Sequence, residues 1–294
     1  MDQSYPGKLS VWEGWSEAMA PPASLEHALQ AQATSDDLAD ELFASESLNF
    51  YARSPRSGDG PEAFSLQWFL DIEHRRLTRH GAWLSRLLEF KKHTSETVLG
   101  IGNGLGTDWI QYARHGANVL ACSPSSNRLA LVRRNFELRG LGARFMNGTV
   151  EQLPVDNACI DVVCVSSWLE PVVNPVKAVA ELYRILKPGG KVLAMCPAKY
   201  DVRYWLRVLA PWGRWWRGQQ HYNFPAPPIS ARRLRKLFAP FVEHRVYKRQ
   251  LRRREIPIAW RILPLNFLQR LLGRMLIVKA FKPLSAAIPV PLAA

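Results

Sequence analysis

The chain has 294 residues, with 39 Lys+Arg against 25 Asp+Glu and a formal net charge of +14. Apolar residues make up 47%, enough to bury a large core, so a disordered chain is excluded. Four cysteines, no two of them in a C-x-x-C pair, exclude a disulfide scaffold and point to reduced thiols in a cytoplasmic setting.

Residues 1–63 read as a loosely ordered N-terminal arm, polar and interrupted by Pro21-Pro22 and Ser54-Pro55, with a helix expected over 35–44. The first residues, Met1-Asp2-Gln3-Ser4, lack the basic-then-apolar pattern of a signal peptide. From 64 to 92 the apolar spacing turns helical, through Phe64, Trp68, Phe69, Ile72, Trp83, Leu84 and Leu88. Then the period shortens. Thr97 to Ile101, Asn118 to Cys122, Ala143 to Met146, Ile160 to Val165 and Lys191 to Cys196 read as strands. Helices are expected between them over 107–115, 126–139 (ending at Gly140) and Ala178 to Leu186, the last stopped by Pro188-Gly189-Gly190. Strands alternating with helices at this spacing predict a doubly wound α/β domain over 64–198, its sheet mostly parallel.

Residues 199–282 read as a basic, Trp-rich cap. Helices are expected over 201–218, 231–238 and 263–272, a loop over 221–228, and strands over 241–251 and 274–281. Residues 283–294 form a tail. The charge divides at the same boundary. Residues 1–198 carry 19 Lys+Arg against 22 Asp+Glu, whereas residues 199–294 carry 20 against 3. That last third also holds Trp205, Trp212, Trp215, Trp216 and Trp260. Basic side chains among tryptophans suit an anionic partner: a membrane surface, an acidic substrate or, less favoured, nucleic acid. Equally, they suit a solvated face over packed rings.

The stretch Val98-Leu99-Gly100-Ile101-Gly102-Asn103-Gly104-Leu105-Gly106-Thr107-Asp108 falls at the first strand-to-helix turn. Glycines at 102, 104 and 106 permit a tight bend and close approach of a ligand, and the following helix presents free N–H groups. A dinucleotide G-x-G-x-x-G would want glycine where Thr107 stands, so the spacing leans toward S-adenosylmethionine (SAM). The chain resembles the class I SAM-dependent methyltransferases of the type 11 group, which act on small molecules and lipids. The resemblance rests on Gly102 to Asp108, on Gly116-Ala117-Asn118-Val119, on Glu151-Gln152-Leu153-Pro154 followed by Ile160-Asp161-Val162-Val163, and on Leu186-Lys187-Pro188-Gly189-Gly190. It implies a seven-stranded sheet whose last strand is antiparallel. It also implies SAM contacts at Gly102, Asn103, Gly104, Leu105, Gly106, Asp108, Ser123, Pro124, Thr149, Val150 and Ser166.

Three positions where that family commonly carries a carboxylate are neutral here: Gly100, Ser123 and Thr149. A hydrogen bond to a charged group contributes about 1.5–3 kcal/mol, so losing the ribose acid costs roughly tenfold to a hundredfold in affinity. Glu170, past the fourth strand, is a weak candidate for a base or a partner of the sulfonium charge, against the blander solvated carboxylate. His80, His93 and His221 read as surface histidines, and Cys122, Cys164 and Cys196 as core thiols. No Cys/His/acid spacing suits a metal. The amino-methyltransferase motif N/D-P-P-Y/F is replaced by Ser166-Ser167-Trp168. Three functions follow: a methyltransferase for a small apolar or anionic acceptor, an inactive methyltransferase-like scaffold, and a nucleic-acid methyltransferase.

Overall fold

The computed structural model describes residues 61–62, 64–80, 82–102, 104–165, 172–209, 228–256 and 258–284. The helix expected over 35–44 and residues 221–227 of the loop expected over 221–228 lie outside them. Two helices come first, α1 (Leu66–His80) and α2 (Ala82–Leu88). The alternating core follows: β1 (Thr97–Ile101), α3 (Thr107–Arg114), β2 (Asn118–Ser123), α4 (Ser126–Glu137), β3 (Arg144–Asn147), β4 (Ile160–Val165), α5 (Pro175–Ile185) and β5 (Leu186–Pro197). The chain then adds α6 (Val202–Leu209), α7 (Ala231–Leu237), β6 (Val242–Arg249), two 3₁₀ turns (Arg253–Glu255 and Ile258–Ile262), α8 (Leu265–Leu272) and β7 (Met275–Phe281).

The seven strands form one sheet in the order β3-β2-β1-β4-β5-β7-β6. The pairings from β3 through β5 are parallel, and β7 runs antiparallel to both neighbours. The strand order reverses beside β1, so the crevice at its carboxyl end is the switch point where open α/β sheets bind ligands. Alternate side chains feed two layers, as period-2 strands require. Val98, Ala121, Val162, Leu193 and Ile277 pack against α2, α3 and α4. Leu99, Cys122, Val163, Val192 and Val278 pack against α5 and α7.

The expected helix over Ala178 to Leu186 begins earlier, at Pro175, because Asn174 caps it: its Oδ1 accepts from Val176 N at 3.1 Å and Lys177 N at 3.0 Å, with proline in the first turn. That helix ends at Ile185, and Leu186 is already extended. β5 thus begins ahead of Pro188-Gly189-Gly190, which is held against the end of β7 by Gly189 N to Lys282 O (3.0 Å) and Lys282 N to Gly190 O (2.8 Å). Residues 210–218 of the helix expected over 201–218 lie outside the described residues. A small third core, with Val202, Leu251, Ile256, Leu268 and Leu272, joins α6 to α8.

Candidate functional site at the carboxyl end of β1

Each described glycine of the bend after β1 does a separate job. Gly102 has φ 145° and Gly106 φ 71°, conformations that disfavour a Cβ. Gly106 is the N-cap of α3, and a Cβ there would meet Val132 Cγ1 at 2.8 Å. Gly104 faces open space, with nothing within 4 Å of where its Cβ would stand. Leu105, buried at 4% exposure, is pinned by its backbone: its carbonyl accepts from Asn135 Nδ2 of α4 at 2.8 Å. Gly102 N donates to Cys122 O of β2 at 3.2 Å, fastening the other side of the bend. The result is a fixed loop with one bare backbone face, beside the free N–H groups of α3.

Gly100 is neutral for a steric reason. A Cβ built there would lie 2.5 Å from the indole carbons of Trp109, which is fully buried on α3. The ring occupies the volume that a side chain at residue 100 would need. Sequence reading missed Trp109. Its signal was a glycine inside an otherwise branched apolar strand, which marks a close approach.

Asp108 lies in the first turn of α3 but is buried and faces α1. Arg76 grips both its oxygens, with Nε to Oδ1 at 2.5 Å and a second bond from Nη2 to Oδ2. Beside it Glu73 of α1 accepts from Gln111 Nε2 (2.9 Å), from Arg139 Nη1 (2.5 Å) and from Arg114. These bonds lash α1 across α3 and the end of α4, behind the glycine bend. Neither Arg76 nor Glu73 was singled out in the sequence. Partners 32 to 66 residues apart leave no local pattern to read.

Ser123 ends β2 with 0% exposure; its hydroxyl accepts from Ser125 N at 3.3 Å and shapes the turn into α4. Ser125 caps that helix by accepting from Arg128 N. Pro124 and Thr149 are exposed, and Val150 is half-buried against the larger core. Thr149 O accepts from Gln152 N at 3.1 Å in a short bridge. Asn103, Ser166 and Glu170 lie outside the described residues. So does His221, and nothing is described of the His80 side chain.

Other stretches that resemble the family hold the scaffold. Glu151 Oε1 accepts from Asn174 N (2.8 Å), and Leu153 N donates to Glu181 (2.9 Å), so the Glu-x-Leu-Pro run clamps the start of α5. Asp161 accepts from Thr97 N (2.9 Å) and from Lys187 Nζ (2.8 Å), which ties β4 to β1 and to the Pro-Gly-Gly turn.

His93, expected at the surface, is instead 2% exposed. Burial lowers its pKa, against the pull of Glu96, whose carboxylate accepts from Nδ1 at 2.6 Å. Cys122, Cys164 and Cys196 are buried thiols outside any disulfide; burial pushes Cys122 and Cys196 up to about 12, so both stay protonated and inert near neutrality. Among the described residues no group of three or more His, Cys, Asp or Glu could hold a metal, and no helix is long and apolar enough to cross a membrane.

Residues 98–194 match the family described as Methyltransferase domain. The chain is 36% identical over 99 residues to a demethylmenaquinone methyltransferase of Clavibacter sepedonicus, covering 33% of this chain and 40% of that one. It is 32% identical over 104 residues to a malonyl-[acyl-carrier protein] O-methyltransferase of Pectobacterium atrosepticum, covering 34% of this chain and 38% of that one. The chain thus spans about 40% of the length of these curated relatives. Among solved structures, the [4+2]-cyclase SpnF superposes with a TM-score of 0.53 at 18% identity, over 85% of this chain and 94% of that one. That likeness is one of fold, and the cyclase shows that the fold alone does not set the reaction. Residues 98–194 thus form a methyltransferase domain on a sheet of this strand order, and in both respects the chain resembles the class I SAM-dependent methyltransferases of the type 11 group.

Proposed function

We propose that the chain is a SAM-dependent methyltransferase whose acceptor is a small apolar or anionic molecule. The observation that carries this is the bend after β1: a loop fixed on both sides, whose Gly104 leaves its backbone open at the switch point of the sheet. SAM fits such a cradle, and when bound it supplies a sulfonium methyl that an acceptor takes in one in-line displacement. Gly102 and Gly106 hold the loop's shape, and Asn135 keeps Leu105 from shifting. The Arg76–Asp108 pair stiffens the first turn of α3 from behind. With so few charged groups at the bend, the residues contribute mainly by positioning and by excluding water. In this reading residues 64–198 are the cofactor core and 199–282 the cap over the acceptor. The two relatives' names, one a quinone precursor and one a carrier-bound acyl group that ends in a carboxylate, support an acceptor that is apolar or anionic.

Incubation with methyl-labelled SAM and demethylmenaquinone tests the proposal. Label is expected in the organic extract, and less of it when Gly104 is replaced by valine. A chain that binds SAM yet labels neither this apolar acceptor nor an anionic malonyl thioester would contradict the reading.

A second reading, a binding module without catalysis, is favoured by one observation. Trp109 fills the place of an acid at residue 100, and the Ser123 hydroxyl is fully buried, so two of the usual anchoring positions are closed to a ligand. SAM binding separates the two readings, because the module predicts none.

A further inference from the structure

Helices α6 and α8 each carry two apolar rows, one packed into the small core and one partly exposed. On α8, Leu268 and Leu272 face inward at 3% and 5% exposure, while Phe267 and Leu271, the adjacent row, are each 52% exposed. Residues four apart share a helix face, so these are two distinct stripes. On α6, Val202 and Leu206 join the same small core, while Trp205 and Val208 point outward at 37% and 50%. The outer stripes are neighbours. Lys248 Nζ donates to the carbonyls of both Tyr200, just before α6, and Leu271, near the end of α8. Tyr200, Tyr204 and Trp205 continue the patch as edge-on rings 4.9 and 5.5 Å apart.

The charge around this patch is one-sided. The three acids of residues 199–294 are all engaged: Asp201 accepts from Arg203 N and Tyr204 N at the start of α6, Glu243 from Arg245, and Glu255 from Arg274. Lys248 stands between the two helices, whereas Arg274 is taken up by Glu255 and Lys279 by Glu89 at the other end of the sheet. Arg270 is exposed on the face of α8 next to Phe267 and Leu271. An apolar stripe beside a basic one, with Trp and Tyr at the rim, is the chemistry that settles into the headgroup layer of an anionic bilayer. Half-exposed leucine, valine and phenylalanine have no counterpart on a phosphate backbone, which disfavours nucleic acid. The patch also stands at the productive end of the sheet. β5 pairs Ala194 with Val165, which lies level with Ile101 at the end of β1, and then runs on through Pro197 toward α6. We propose that the outer faces of α6 and α8 dock the protein onto a bilayer rich in anionic lipid, at the same end of the sheet as the glycine bend. Surface binding needs neither cofactor nor turnover, so it stands or falls apart from methyl transfer. That the bilayer delivers the acceptor is the one part that rests on the proposed function.

The test is co-sedimentation of the full chain with vesicles of phosphatidylcholine alone or mixed with phosphatidylglycerol, without SAM. Binding is expected at least about tenfold tighter to the anionic mixture and weaker at high salt. Phe267→Ser with Leu271→Ser is expected to weaken it about tenfold or more, with an unchanged melting temperature because both side chains are already half in water. Arg270→Glu provides a second variant that leaves the apolar stripe intact, with a smaller expected loss. Equal binding by wild type and both variants, or no preference for anionic vesicles, would overturn the proposal. So would a dimer that the serine variants dissociate while vesicle binding is absent, or RNA binding that the serine changes leave untouched.

Discussion

At the amino end of the sheet, Glu89 is 9% exposed and accepts from Lys191 at 2.5 Å, Lys279 at 2.7 Å and Lys92 at 3.3 Å. At the carboxyl end, the bend after β1 holds glycines, and the places beside it carry Gly100, Ser123 and Thr149. One end uses buried charge to join α2 to β5 and β7. The other leaves a rigid, uncharged gap. A buried ion cluster has value in place because each member would be costly alone. A ligand cradle needs the reverse, a shape that persists with nothing bound. The comparison teaches that this sheet keeps its electrostatics for holding the fold and offers the ligand end mostly backbone.

The largest expected effect is at the charged end. Burial pushes the Glu89 carboxyl up, but hydrogen bonds and charge from Lys191 and Lys279 override it and hold its pKa near 2, against an ordinary 4.5. Because the folded value is depressed, this stabilisation is complete above about pH 4.5 and is lost as pH falls toward 2. Glu89→Gln, which leaves two lysines buried without their anion, should cost about 3–5 kcal/mol. Denaturant titrations from pH 7 to 3 should show a flatter acid limb in the variant. Equal acid limbs would mean that the cluster contributes nothing.

Next comes Gly100→Ala, which forces a methyl into the Trp109 ring 2.5 Å away. Overpacking of this kind costs about 1–3 kcal/mol. Adding Trp109→Leu should return part of it, a coupling that a double-mutant cycle in urea measures. Additive costs would show that the ring is not what excludes a side chain there. Smallest in stability is Gly104→Ala, with no neighbour within 4 Å and no left-handed φ to strain. Its melting temperature should shift by no more than about 2 °C, while its affinity for SAM falls.

The order of the core elements was legible because short apolar strands alternate with helices whose ends are marked, at Gly140 and at Pro188-Gly189-Gly190. The start of α5 was missed by three residues although Asn174-Pro175 announces it. The site was half legible. Glycines declare a bend, but not what lies over or under it. That Gly104 opens outward while Gly100 is covered by Trp109 depends on how α3 packs back across β1. That His93 is buried, and that Asp108 turns toward Arg76, depend on α1 and α2 crossing the same face, contacts between residues far apart in sequence. The half-exposed row on α8 was invisible for another reason: Phe267, Leu268, Leu271 and Leu272 read alike until one pair finds a core and the other does not.

Isothermal titration of SAM into the wild-type chain and into Gly104→Val tests most directly whether the neutral bend is a cofactor site. The account predicts saturable heat for the wild type, with affinity about tenfold to a hundredfold below that of a site with a ribose carboxylate. It also predicts that heat to vanish in a valine variant that melts at the wild-type temperature. No heat at millimolar SAM with folded protein, or equal binding by the two chains, would contradict it.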